Sequence, residues 1–390
     1  MIMNFPCKHI RILVLTVTGL LAEPVISGVL PEDRADAMYH YYDGGGVQIT
    51  GPSVLVRKKF KESFSLFGNY YVDSISSASI DVITSGASAY TEERTEMSAG
   101  LDYLHDDTTM SFSITNSTEN DYEADSLNIG ISQEVFGGMT TIGMGYGRGS
   151  DVVGMRGDSA FAQDLDRRNY RLSISQVITR KMLLGIFYEA ITDEGYLNNP
   201  YRSYRYLDPE NPTNHLWTTE VYPNTRSSNA VSMKTRYYLS PGSVVHGGFR
   251  FYSDTWGIDA YNVDVGYTQP IRQAWILDFN YRYYSQKHAD FYADLFPYQD
   301  AQNFLGRDKE LSTFASHTFR VGVTYNFLQD GWQFLDKGTV NLFYDTVIYD
   351  YSDFRDLTQT DANGAALPAG QEPFYQYSAD ILQLLVSFWF

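Results

Sequence analysis

From Trp275 to Tyr284 every second side chain is large and apolar or aromatic: Trp275, Leu277, Phe279, Tyr281 and Tyr283 alternate with Asp278, Asn280 and Arg282. Successive side chains of a strand point to opposite faces, so such a segment is a strand with one greasy and one polar face. The pattern recurs. Phe319, Val321, Val323, Tyr325 and Phe327 oppose Thr318, Arg320, Thr324 and Asn326, and Val245, Phe249 and Phe251 oppose His246, Arg250 and Tyr252. Weaker copies occupy 97–103, 110–114, 127–131, 140–146, 170–174, 231–239, 261–267 and 340–344. Alternation this frequent excludes a helical protein.

What each face carries separates a soluble sandwich from a membrane barrel. The apolar faces place tyrosines near strand ends (Tyr70-Tyr71, Tyr237-Tyr238, Tyr283-Tyr284, Tyr349, Tyr351), as the interfacial girdles of a barrel do. The polar faces carry single charges in mid-strand: Arg171, Arg236, Arg250, Arg282, Arg320, Asp102, Glu189, Asp264 and Asp278. In a barrel these are lumen-lining positions. A one-residue slip would turn each arginine toward lipid at about 2–4 kcal/mol near the midplane, so register is strongly specified. The last strand ends Leu382, Leu384, Val386, Phe388, Phe390 on one face. Closing on an aromatic is similar to the signal that presents bacterial outer-membrane proteins to the barrel-assembly machinery, which makes Phe388 and Phe390 the expected assembly signal.

The N-terminus is consistent with this destination. Lys8 and Arg11 precede a ten-residue apolar run, Ile12 to Leu21, too short to span a bilayer and suited to a secretory signal over residues 1–27. The single cysteine, Cys7, leaves with it, so the mature chain is expected to hold no disulfide and no Cys-based cofactor. No cofactor and no metal set is assigned. Losing residues 1–27 takes the formal charge from −18 to −19, the wrong sign for a nucleic-acid partner. Aromatic content is 15% with 32 tyrosines; only alternate residues of such a chain need meet lipid.

Short turns are expected at Lys61-Glu62, His105-Asp106-Asp107, Phe136-Gly137-Gly138, Thr179-Arg180 and Ser240-Pro241-Gly242. Long polar connections are expected over 76–92, 149–166, 193–225, 287–312 and 351–375. Counting Ala37–Tyr42 as a short first strand gives about 16 strands, with 14 the alternative. The expected fold is all-β: a transmembrane antiparallel up-and-down barrel forming one domain over 28–390. Loops of ~25 residues in a compact domain are usually functional or disordered, and these are too aromatic for disorder. They are expected to constrict the mouth through Asp193, Glu194, Tyr201, Arg202, Asp290, Asp294, Arg307 and Asp308. Small residues crowd the early strands (Ser98, Gly100, Ser111, Ser113, Gly130, Ser132, Gly143, Gly145, Gly147), leaving room on one side.

Several stretches resemble a proteobacterial family known as domain of unknown function 3570. They are Pro31 to Gly46, Thr50 to Lys58, Asn69 to Asp73, Thr192 to Arg202, and Ala289 to Asp308 with Lys309 to Thr313. The resemblance implies an outer-membrane barrel of a Gram-negative bacterium. It also implies genomic company with a small lipoprotein, a thioredoxin-like protein and a flavin-transferring partner. No catalytic residue comes with the family, and no His-Glu-x-x-His or comparable spacing occurs, so no enzyme is expected. Two functions remain: a channel or transport conduit with a loop-constricted lumen, or a non-conducting scaffold for an extracytoplasmic redox partner.

Overall fold

The computed structural model describes residues 28–77, 84, 90–239, 242–328 and 331–390; the expected signal peptide lies outside them. The first strands are β1 (Arg34–Gly44), β2 (Val47–Phe60), β3 (Phe64–Ser77), β4 (Tyr90–His105), β5 (Thr108–Thr118) and β6 (Tyr122–Val135). Then come β7 (Thr140–Met155), β8 (Asp158–Thr179), β9 (Met182–Gly195), β10 (Ser203–Leu207), β11 (His215–Thr219) and β12 (Thr225–Tyr238). The last are β13 (Val244–Asp254), β14 (Asp259–Ile271), β15 (Trp275–Gln286), β16 (Phe314–Phe327), β17 (Lys337–Arg355) and β18 (Phe374–Trp389). All but β10 and β11 form one closed sheet of sixteen antiparallel strands, paired in chain order. Closure joins β1 to β18 from Arg34↔Trp389 to Gly44↔Ala379. Of the two expected strand counts, sixteen is the one found.

The outer surface is apolar, as a transmembrane barrel requires. Val56, Met97, Ile114, Ile129, Met144, Leu172, Ile186, Val231, Phe249, Val265, Phe279, Phe319, Leu342 and Leu384 are all exposed, yet each lies mid-strand where a hydrocarbon slab would cover it. The two ends of the barrel differ. At the end holding both termini, most connections are short: β4 to β5 takes Asp106-Asp107 and β8 to β9 takes Arg180-Lys181, while β16 to β17 runs over 328–336. Among the described residues, five of these connections open on a non-glycine residue in the left-handed region, Lys61, Asp106, Phe136, Arg272 and Leu328. The expected turn at Ser240-Pro241-Gly242 lies partly outside the described residues. At the other end, β1 and β2 meet through Gly45-Gly46, φ +59° and +77°. Two consecutive left-handed residues make the tight hairpin turn that matches strand twist, and glycine adopts them without strain.

Strands run further at that end than alternation alone indicates. The polar stretch 149–166 is no loop: β7 and β8 stay paired from Gly149↔Arg167 through Gly154↔Ala162. It is polar because it projects past the apolar band, and backbone pairing is indifferent to that. For the same reason β9 continues to Gly195 and β17 to Arg355. The tyrosine girdle also needs correction. Tyr70, Tyr237 and Tyr283 share the outward face with exposed apolar neighbours, whereas Tyr71, Tyr284, Tyr349 and Tyr351 fall on the inward face. Adjacent residues of a strand cannot both meet lipid.

Candidate functional site

All nine charged positions read from alternation as lumen-lining sit on the inward face, opposite the exposed apolar residues. They are not equivalent. Arg320 grips Asp345 with two bonds, both 2.6 Å. Arg250 reaches Glu189 at 2.9 Å, which also accepts from Asn169. Asp102 is held by Arg57, and Asp278 accepts from Thr268 at 2.5 Å. Arg171 donates to the amide oxygen of Asn128 at 2.9 Å. Arg236, Arg282 and Asp264 have no ion pair among the described residues. Asp264 and Arg282 oppose one another across β14 and β15, and the row continues through Gly248 to Lys234. The β12–β15 wall therefore presents Lys234, Arg236, Arg250 and Arg282 around Asp264 and Asp278.

The facing wall, β4 to β7, carries mostly small side chains, with the Phe67 ring lying over Gly100 and the Arg171 side chain beside Gly145 and Gly147. Cross-strand neighbours run Gly100, Ser113, Asn128, Gly147 in one row and Ser111, Gly130, Gly145, Arg171 in the next. Ser132, Gly143 and Ser173 form a third. Ser98 lies two residues from Gly100 on the same face of β4. All nine small residues noted in the sequence thus meet on one inner surface. On β1–β3 the inner wall instead holds a buried pair, His40 Nε2 and Asp73 Oδ1 at 2.7 Å, with Tyr71 stacked on the imidazole at 5.2 Å. This pair reaches across β2 at Gly51, where a Cβ would lie 1.6 Å from the Val72 carbonyl oxygen. Glycine is obligatory there.

Near the loop end, inward aromatics of β15 to β18 pack together. Tyr349 stacks on Tyr377 at 4.6 Å, Phe314 meets Tyr351 at 5.1 Å and Tyr284 at 5.5 Å, and Tyr375 joins Tyr377 at 5.4 Å. Of the four tyrosines that belong inside rather than in the girdle, Tyr284, Tyr349 and Tyr351 are in this cluster.

Above it the long connections fold into a cap. The hairpin β10–β11 is flanked on both sides by the β15–β16 connection. Leu207 N–H donates to Phe296 O at 3.0 Å and Phe296 N–H to Arg205 O at 2.9 Å, while Val221 and Leu305 exchange bonds of 2.9 and 2.8 Å. The β17–β18 connection joins through Ala369 N–H to Thr213 O at 2.9 Å. Tyr204, Tyr206, Phe296 and Leu305 form one small core; Tyr222, Trp256, Ile258, Phe291, Tyr292 and Leu311 form another.

An ionic cluster ties these loops together. Arg205, 0% exposed, donates to Glu372 through Nη1 at 2.6 Å and Nη2 at 3.2 Å, to Asp294 Oδ2, and through Nε to Asp294 O at 2.9 Å. Arg307 also binds Asp294, at 3.0 Å, and lies 4.4 Å over the Phe354 ring. Glu220 accepts from Arg307 N–H at 2.6 Å and from Tyr222 at 2.5 Å. Burial, and then the charge of Asp308, push the Glu220 carboxyl well above its usual value. Burial acts the same way on Glu372, but the hydrogen bond and charge of Arg205 outweigh it and leave that carboxyl lowered.

Of the eight loop residues expected at the mouth, Tyr201, Arg202, Asp294, Arg307 and Asp308 enter this assembly, Arg202 facing Asp308 at 3.3 Å. Tyr201 extends along the rim: its hydroxyl donates to Asp121 and accepts from Arg156 N–H at 2.6 Å. Asp290 anchors the Trp256 turn through its N–H, 2.8 Å from Trp256 O. Asp193 and Glu194 do not belong to a loop. Both lie on β9, Asp193 inward and bonded to Arg167 at 2.7 Å, Glu194 exposed on the outer face, because pairing with β8 and β12 carries the strand past them. Arg205, Glu220 and Glu372 are not singled out by the sequence. Arg205 lies in a segment whose composition is unusual, but nothing local distinguishes it from Arg202. At the last strand, Phe388 meets Phe327 edge-on at 5.7 Å and Phe390 lies 4.8 Å beneath Lys58 Nζ.

The family model described as protein of unknown function (DUF3570) matches residues 83–171 and 163–336. The chain belongs to this family. No curated protein matches this DUF3570 member. Among solved structures it is similar to the siderophore receptor PirA from Pseudomonas aeruginosa, with 11% identity and a TM-score of 0.44 over 84% of this chain and 60% of the receptor. It spans less than two thirds of that receptor. A Pseudomonas aeruginosa FadL homologue aligns at 9% identity and TM-score 0.46, over 92% and 90% of the two chains. A bacterial polysaccharide outer membrane secretin aligns at 8% and 0.47, over 93% and 100%.

Proposed function

We propose that this barrel is a conduit for small polar solutes across the outer membrane of a Gram-negative bacterium, with its cap constricting the extracellular mouth. The observation that carries this is the small-residue β4–β7 wall. Apart from Asn128 and Arg171, the three adjacent rows carry only glycine and serine, which leaves a path down that side beside Arg171. Opposite it, the excess of cations over Asp264 and Asp278 favours anions, by the electrostatics charged pore linings use. The cap bonds both to the β17–β18 connection, at Glu372, and to the β5–β6 turn, at Asp121. These lie on widely separated parts of the rim, which is the geometry of a bridge across the opening.

Planar-bilayer recording of the refolded protein tests this. The expected result is steady conductance with a reversal potential shifted toward anions under a salt gradient. Gly145→Phe should reduce the current, since a Cβ there meets nothing closer than 3.6 Å and the ring would project into the path. Electrically silent barrels would overturn the reading and favour a scaffold that holds the lipoprotein, thioredoxin-like or flavin-bearing partner instead.

A further inference from the structure

On the rim, away from the ionic cluster of the cap, three carboxylates converge. Glu92, near the start of β4, and Glu119 and Asp121, in the turn joining β5 to β6, each place an oxygen within 4.8 Å of the other two. Glu92 points inward and is 8% exposed, and its Oε1 has no hydrogen-bond partner among the described residues. A buried carboxylate oxygen without a donor is costly and calls for a positive partner. The carboxylate also accepts from Asn120 N–H and feels the charge of Arg156, but the charges of Asp121 and Glu119 act on it more strongly. The neighbouring guanidinium of Arg94 is committed elsewhere. It holds Glu96 at 2.6 Å and Ser117 at 3.1 Å, approaching Glu119 only at 3.9 Å.

We propose that Glu92, Glu119 and Asp121 form a binding site for a hard divalent cation of the calcium class. The donor set is entirely carboxylate oxygen, without His or Cys, which disfavours the softer transition metals. Calcium–oxygen bonds of 2.3–2.6 Å allow oxygens on one ion to stand up to about 5 Å apart, so one ion spans the cluster, with water completing its shell. The site also has a structural consequence. Asp121 accepts from the Tyr201 hydroxyl and its carbonyl from Gly154 N–H at 2.7 Å. An ion here would therefore fasten β4, the β5–β6 turn, the β7–β8 hairpin and the start of the cap to one another. This inference stands whether or not the barrel conducts.

Terbium is the probe, because its emission is sensitised by a nearby tyrosine, here Tyr201. Refolded full-length barrel titrated with terbium should show a saturable component that added calcium displaces. Glu92→Gln and Asp121→Asn should each weaken that component by about tenfold or more, while unboiled gel migration confirms a folded barrel. Glu119→Gln carries the same comparison if either variant fails to fold. Titrations of the folded variants that superimpose on the wild type, or terbium emission insensitive to calcium, would overturn the proposal.

Discussion

Replacing Arg205 with methionine should open the cap and leave the barrel intact. The side chain is fully buried and supplies four hydrogen bonds, two to Glu372, one to Asp294 Oδ2 and one to the Asp294 carbonyl. Methionine fills similar space and removes all four. Asp294 keeps Arg307, but Glu372 is left with backbone donors alone, its own N–H and that of Gly370 at 2.9 Å. Removing one partner of a buried ion pair costs about 3–5 kcal/mol, chiefly because the other charge stays buried. None of these residues takes part in the barrel's hydrogen-bond ladder, so the loss falls on cap opening. At 1.4 kcal/mol per decade, about 4 kcal/mol raises the open population by nearly three orders of magnitude. When reclosing is fast, proteolysis tracks that population. Chymotryptic cleavage within 196–224 should accelerate by at least a hundredfold while unboiled gel migration stays that of a folded barrel. Arg205→Lys should fall between, since a point charge cannot serve both carboxylates as the planar fork does. A cleavage rate for Arg205→Met within about threefold of wild type, with the barrel intact, would show that the cluster does not hold the cap.

Glu220 makes cap stability depend on pH. Its folded value is raised, so its contribution is complete below the ordinary carboxylate range and is lost as pH rises through the folded value. Glu372, being lowered, loses its contribution only in acid. Loop cleavage should therefore be slower at pH 5.5 than at pH 8.5, and Glu220→Gln should flatten the difference; an unchanged pH dependence would refute the assignment. On the outer face, Ile129→Arg should cost about 2–4 kcal/mol and deplete the heat-modifiable barrel, whereas Ser111→Arg, paired with the adjacent Gly130 but facing inward, should be tolerated. Equal yields of the two would refute the face assignment. Deleting Phe390, or replacing it with aspartate, should reduce barrel levels in the membrane fraction without reducing export, measured by fractionation; undiminished levels would count against an assembly role.

Which parts of the molecule are legible in its sequence follows from the range of the interactions. Period-two patterning is local, so strand identity, facing and the inward placement of Arg171, Arg236 or Asp278 can be read directly. Strand ends cannot. Beyond the apolar band, 149–166 loses its alternation, while the backbone ladder that extends it leaves no mark on composition. Tyrosine pairs mislead for a related reason: a girdle tyrosine and an interior one look alike until the pleat separates Tyr70 from Tyr71. The cap is legible only as aromatic, charged loops. Which charges meet depends on the closing of the sheet, which brings Arg205 to Glu372 across 167 residues and Tyr201 to Asp121 across 80. The Glu92, Glu119 and Asp121 cluster is similarly invisible, because Glu92 stands on β4 while the other two share the β5–β6 turn.

The bond between Arg205 and Glu372 has a bearing on biogenesis. Glu372 belongs to the connection between the last two strands, so its partner, carried between β9 and β12, must wait for β18. Until the final hairpin is in place, Arg205 faces Asp294 alone and the third loop of the cap is missing. A chain caught partway through insertion is thus a barrel with an unlatched top. Completion of the cylinder and fastening of its lid become one event, and resistance of the 196–224 segment to protease would time-stamp the moment the first and last strands join.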